Sequence, residues 1–320
     1  MSELAQGEVE ASTAVAVKTR RRRPSASAGI SSRGRSRLWI FLVPAAVLYL
    51  FVVVWPSIQG AGFAFTDWDG LSQVKNFIGF DNFVRIWKDP DSKTAIWHTL
   101  LIAVAITIIQ NGVGLLLALG VNTQIKTRNF LRVILFAPAV ITPVAVGFLW
   151  QNLFAPDGAV NELLDFVGLS SWKQDWLGNG KVAIWCIVFV IVWQFAGYSM
   201  VIFLAGLQSV PEDVIEASHL DGCGPFSRFW HIVRPFLAPA ITINLMLSII
   251  GGLKLFDQVW VMTQGGPGGA TETISTLIYK SAFQFNDFAY GIALAVVLTI
   301  FVAAISGVQY RILGKQEGNT

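Results

Sequence analysis

Hydrophobic and polar positions along this chain separate into long blocks, not the short periods of a water-exposed fold. A membrane-crossing helix needs about 20 mostly apolar residues at 1.5 Å rise each. Six stretches meet that length: residues 38–58, 96–120, 133–154, 182–207, 236–256 and 288–309. They predict an all-α, polytopic membrane protein with six transmembrane helices. The first stretch is too long for the apolar core of a signal peptide, and no small-x-small cleavage site follows it, so it reads as a retained helix. The expected organisation is a polar tail over residues 1–37, a membrane domain over 38–310 with a long loop at 208–235, and a short tail over 311–320.

Composition sharpens this picture. Only 13% of the 320 residues are charged and 54% are hydrophobic, against about 25% charged in a soluble domain. The mean hydropathy is +0.58. A net charge of +3, with its basic excess in one tail, excludes a nucleic-acid binder. Two cysteines, Cys186 and Cys223, exclude a disulfide scaffold. His98, His219 and His231 have no ligand-like spacing, so no metal site is expected.

Orientation follows from where Lys and Arg fall in the loops. Six spans put both termini on one side, together with the loops carrying Lys126, Arg128, Arg132, Arg228 and Arg234. That side also holds Lys18, Arg20 to Arg23, Arg33, Arg35, Arg37, Arg311 and Lys315, and is therefore cytoplasmic. The opposite side carries fewer basic residues and more acidic ones. The Arg-rich tail admits a nucleic-acid reading, but beside a span it reads better as an arm held near anionic headgroups.

Two loops carry chemistry. The external one runs Phe65-Thr-Asp-Trp-Asp-Gly70 and then Gly79-Phe-Asp-Asn-Phe83. Aromatics among Asp and Asn suit either anchoring at the headgroup interface or contact with carbohydrate. The cytoplasmic loop opens with Ser209-Val-Pro-Glu212, the pattern of a capping box, with Glu212 and Asp213 favoured by the helix dipole. Asp221-Gly222 permits a left-handed cap, and Pro225 suits the start of a second short helix. There Phe226, Phe229, Trp230 and Val233 fall on one apolar face, and Pro235 ends the helix before the fifth span. Such a hairpin could lie on lipid headgroups. However, Glu212, Asp213, Glu216 and Asp221 would be repelled there, so a knob that docks on a soluble partner is the better reading.

Glu216-Ala-Ser-His-Leu-Asp-Gly222 followed by Ile232-Val-Arg-Pro235 resembles the EAA loop of ABC-importer permeases. From about residue 38 onward the chain is similar to the maltose-type sugar permeases of the carbohydrate-uptake class. The external-loop motifs carry that likeness, with Phe256-Asp-Gln-Val-Trp-Val-Met-Thr-Gln-Gly-Gly-Pro267 and Thr271-Glu-Thr-Ile-Ser-Thr-Leu-Ile-Tyr-Lys280. The resemblance implies a type I ABC-importer permease fold in a bacterial or archaeal cell membrane. It implies a coupling helix in which Glu216 pairs with a basic residue of a cytoplasmic ATPase and Ala217 allows close approach. Asp221 and Gly222 would make the turn, and Phe226, Ile232 and Pro235 would support the knob. Ser218 stands where alanine is common, and Arg234 where an apolar residue usually precedes the proline.

Polar and helix-breaking residues inside spans are costly and mark pathways or helix contacts. Gln110 and Asn111 read first as helix–helix hydrogen bonds, and Gly251 with Gly252 as close packing. Alignment with the maltose-type permease implies substrate contacts at Phe195, Tyr198, Ser248 and Gly252. Lys254 and Asp257, three apart, have the spacing at which a local ion pair could form.

The chain has no G-x-x-x-x-G-K-[ST] phosphate loop. By resemblance it is a transport subunit and not an enzyme, with ATP and magnesium on a separate ATPase. The implied partners are a second permease forming a heterodimer, two ATPase copies, an external sugar-binding protein, lipid and a sugar, with no nucleic acid. An ion-coupled secondary transporter is the alternative. It would need mid-membrane titratable groups and usually an inverted repeat, and neither is evident. An intramembrane enzyme would need a catalytic cluster at one depth, which the scattered histidines do not provide.

Overall fold

The computed structural model describes residues 42–123 and 126–317, so the expectations for residues 1–37 and the start of the first span lie outside the described residues. The chain divides at Pro56 into two compact units. Helix α1 (Leu42–Phe63) includes that division and is long and apolar enough to cross a membrane. The remaining elements belong to the second unit.

Three further single helices are long enough to span: α3 (Pro90–Val121), α7 (Gly180–Leu207) and the segment Phe288–Ile312 of α13 (Phe288–Glu317). Asp89 caps α3 by accepting the Asp91 N–H, with Pro90 in its first turn, and Asn179 caps α7 by accepting the Lys181 N–H. Helix α7 is apolar on every side, the pattern of a buried helix, and it sits at the centre. Its Ile187, Val190 and Ile191 pack with Ile102 and Ile106 of α3.

The third span, expected as a single helix, is instead broken. It comprises α4 (Arg128–Phe136), a 3-10 turn at Ala137–Val140 and α5 (Pro143–Leu153), bent by 95°. Pro143 pushes Thr142 into an extended conformation (φ −61°, ψ 141°), as the ring of a proline requires of the residue before it. Helix α10 (Ala238–Leu253) fills most of the expected fifth span and meets α9 (Pro225–Phe236) at a 75° bend at Leu237, just past the expected stop at Pro235, with Pro239 in the first turn of α10. Broken helices persist at membrane depth when other groups satisfy the freed backbone. In the third span, Gln194 of α7 does so by donating to the Ile141 carbonyl at 2.9 Å.

Shorter helices complete the unit: α2 (Asp81–Lys88), α6 (Ala159–Phe166), α8 (Glu212–Leu220), α11 (Asp257–Thr263) and α12 (Ile274–Tyr279). Helix α13 continues to Glu317, so most of the expected C-terminal tail extends the last helix. Close backbone contact holds the bundle at one crossing above all. A β-carbon at Gly197 of α7 would stand 2.6 Å from the Leu135 carbonyl carbon of α4 and 3.0 Å from the Phe136 Cα.

Candidate functional site: a mid-bundle cavity and a two-helix knob

The two short helices expected between α7 and α10 are present as α8 and α9, but they start differently from the sequence pattern. Pro211 is the N-cap of α8, without a side-chain bond, and the Ser209 hydroxyl donates to the Gly206 carbonyl at 2.7 Å. The expected capping box is therefore absent, because Ser209 is spent on closing α7. The C-terminal end follows expectation. Gly222 adopts φ +72°, the Cys223 N–H donates to the Ser218 carbonyl and the Gly222 N–H to the His219 carbonyl. That pair of bonds is a Schellman closure. Arg228 of α9 donates to the His219 ring of α8 and ties the hairpin together.

Glu216, Ala217 and Asp221 are exposed on this knob, while Ser218 is buried with its hydroxyl donating to the Ile215 carbonyl. The apolar face predicted for α9 divides in two. Phe229 and Val233 pack inward against Leu207 and Leu237, whereas Phe226 stays 77% exposed beside Trp230. Ile232 and Pro235 are half-buried, and the Arg234 guanidinium lies over the Trp230 ring at 5.0 Å.

A cavity of about 300 Å³ opens between α3, α5, α7, α10 and α11, within the size range of small-molecule sites. Phe195 and Tyr198 from α7 and Ser248 and Gly252 from α10 all line it. Tyr198 is 40% exposed. Gly252 contributes backbone only and packs tightly on α3, since a β-carbon there would stand 2.7 Å from the Ala103 Cα.

A polar layer supports the wall. Asn111 donates to the Ser248 hydroxyl at 2.8 Å, and that hydroxyl donates to the Asn244 carbonyl at 2.8 Å. Gln110 donates to the Ser199 hydroxyl at 2.9 Å, and Asn244 to the Ser199 carbonyl at 3.2 Å. Gln110 and Asn111 thus make the helix–helix bonds their sequence context suggests, and Gln110 also faces the cavity. Gln258 donates to the Gln194 side-chain carbonyl at 2.9 Å and joins α11 to α7. Sequence reasoning missed Gln258, although an amide beside an apolar segment is the available signal.

The Lys254–Asp257 ion pair allowed by the spacing does not form. Three ion pairs occur among the described residues, and they are Arg85–Asp287, Lys173–Asp165 and Lys280–Glu272. Helix α10 stops at Leu253, and Phe256 takes φ −129°, so Lys254 and Asp257 are not on one helical face. Both side chains line the cavity instead.

The loop after α1 uses its carboxylates internally. The Asn76 side chain, and then its backbone N–H, donate to Asp67 and hold its pKa below the ordinary carboxylate value. The Ser72 and Leu71 N–H groups do the same for Asp69. At Asp89, burial pushes the pKa up, but hydrogen bonds led by Ser92 and Tyr290 outweigh it and leave it lowered. The aromatics Phe77 and Phe80 remain exposed.

Comparison with known proteins fits this architecture. Residues 110–316 match the model of the family described as binding-protein-dependent transport system inner membrane component. The chain is 37% identical to a probable starch degradation products transport system permease of Thermoanaerobacterium thermosulfurigenes, covering 87% of this chain and 94% of that one. It is 30% identical to a multiple sugar-binding transport system permease of Streptococcus mutans, covering 87% and 96%. Among solved structures, a bacterial ABC transporter involved in the import of the acidic polysaccharide alginate shares the fold. The TM-score is 0.77 over 88% of this chain and 96% of that chain, at 21% identity. The chain belongs to the binding-protein-dependent inner-membrane transport components. It is a multi-pass permease subunit of an ABC importer, and its role is transport.

Proposed function

We propose that this permease takes up a sugar, a disaccharide or oligosaccharide, handed over by an external solute-binding protein. The observation that carries the reading is the convergence of Phe195, Tyr198, Ser248 and Gly252 on one cavity between α7 and α10. Aromatic faces pack on the apolar faces of sugar rings, and Ser248 with the Gln110, Asn244 and Gln258 amides of the lining offers hydrogen bonds to sugar hydroxyls. The names of the relatives, which include starch degradation products and multiple sugars, support the same class.

Coupling runs through the α8–α9 knob. Glu216 seats on a basic residue of a separate cytoplasmic ATPase that binds ATP and magnesium, with Ala217 and Phe226 at the contact. A second permease completes a heterodimeric pathway, two ATPase copies sit beneath it, and both termini of this chain face the cytoplasm. The bilayer is a bacterial or archaeal cell membrane.

The test is gentle purification of the tagged chain from its native membrane, with mass spectrometry of the co-eluting proteins. A second permease and a phosphate-loop ATPase are expected. Recovery of the chain alone, with uptake that survives ATP depletion and collapses with the ion gradient, would overturn the proposal. Tyr198→Ala should raise the KM for sugar uptake about tenfold through lost ring packing, with the complex still assembled. Glu216→Ala should weaken ATPase association by about tenfold through loss of a charged contact, read by quantitative co-purification.

A further inference from the structure

Lys254 and Asp257 are charged groups in a helical membrane protein. Among the described residues neither side chain makes an ion pair or a hydrogen bond. Both residues are exposed and both line the cavity, on either side of the break between α10 and α11. An ionisable side chain within membrane helices is expensive unless it faces a wet cavity or a partner, and it is by default a functional position. The rest of the cavity lining is uncharged: Phe195, Tyr198, Asn244, Ser248 and Gln258 are its main polar and aromatic members.

We infer that Lys254 and Asp257 are specificity-determining residues of the transport cavity, which together select an uncharged, hydroxyl-rich substrate. The assignment rests on the sugar-permease reading above. A sugar hydroxyl can donate to the Asp257 carboxylate while a hydroxyl or ring oxygen accepts from the Lys254 ammonium, so one neutral sugar satisfies both charges. An anionic sugar meets Asp257 as a like charge, and a cationic amino sugar meets Lys254. The pair therefore discriminates against both kinds of charged analogue, although the two residues do not bond to each other.

The test uses the assembled importer in whole cells. The probes are radiolabelled maltotriose, lactose and diacetylchitobiose, with trigalacturonate as the anionic competitor. For whichever neutral probe the wild type takes up, Lys254→Gln and Asp257→Asn should each raise KM by about 10- to 100-fold, the range for a lost charge-assisted hydrogen bond. Maximal rate and complex assembly should stay near wild type. Asp257→Asn should also let trigalacturonate compete more strongly. The charge-swapped double variant, Lys254→Asp with Asp257→Lys, should remain impaired, because each group meets a different substrate atom. Full recovery in the double variant would make the two an intraprotein ion pair and overturn the assignment, as would an unchanged KM in both single variants. If the wild-type importer takes up none of the neutral probes, the sugar reading fails first and takes this assignment with it.

Discussion

Gly197→Leu should unfold the permease at a markedly lower temperature than wild type and abolish transport, whereas Gly112→Ala should leave both intact. The difference lies in what each new β-carbon meets. At Gly112 nothing lies within 4 Å, and alanine is favoured over glycine in a helix by about 1 kcal/mol. At Gly197 the β-carbon overlaps the Leu135 carbonyl oxygen and stands 2.6 Å from its carbon. Those atoms are backbone, so no rotamer change relieves the overlap, and α4 must move away from α7. Overpacking a core costs about 1–3 kcal/mol where side chains can adjust, and a backbone contact belongs at the upper end.

The movement also breaks a hydrogen bond. Gln194 lies one turn before Gly197 and donates to the Ile141 carbonyl that the Pro143 break leaves free. A buried polar group left unpaired adds about 1–3 kcal/mol. The sum is a large share of a typical domain stability of about 5–15 kcal/mol. Thermal unfolding of the purified complex, followed by its monodisperse fraction on size exclusion, is the measurement. A Gly197→Leu midpoint equal to that of Gly112→Ala would show that α4 can leave α7 without loss.

The same region shows what hydropathy can and cannot read. Six apolar runs were legible because the bilayer demands length and apolarity of every span, whatever its direction. The break at 141–142 was not, because apolar content is unchanged by a 95° turn, whereas Pro235 marked the bend at 237. Thr142-Pro143 was the available signal for the first, but proline also occurs in continuous spans. Spacing misled in two places, for two different reasons. Ser209 closes α7 in preference to capping α8, and the i, i+3 relation of Lys254 and Asp257 has meaning only on a helix, which ends at Leu253. The cavity lining came from resemblance, and the fold does bring Phe195, Tyr198, Ser248 and Gly252 to one space. What no pattern revealed is the layer that holds it, in which Ser199 accepts from both α3 and α10.

Lys280→Met should destabilise the segment from Gly265 to Lys280 by about 3–5 kcal/mol, the cost of leaving one member of a buried ion pair alone. Glu272 and Lys280 form that pair with side chains only 9% and 21% exposed. Glu272 is already under-supplied, since its Oε1 has no partner among the described residues. Gly265, at φ +82°, lies directly over the carboxyl group; a β-carbon there would stand 2.8 Å from the Glu272 Cδ. Its backbone conformation and the lack of a side chain are both needed to close the loop on the pair. The Thr271 N–H donates to the Gly265 carbonyl at 3.2 Å, and the His98 ring reaches the Glu272 backbone carbonyl at 3.2 Å, so the loop and α3 meet around this one residue. Removing the ammonium leaves a buried anion that only local unfolding can hydrate. The double variant Glu272→Leu/Lys280→Met should recover most of the loss, because an apolar pair of similar volume removes the buried charge altogether. Hydrogen exchange of residues 264–280 in the purified complex, run as a double-mutant cycle, reads the coupling directly. Additive single-variant effects would mean that the two groups are held apart by solvent and that the loop owes its place to Gly265 and the Thr271 bond alone.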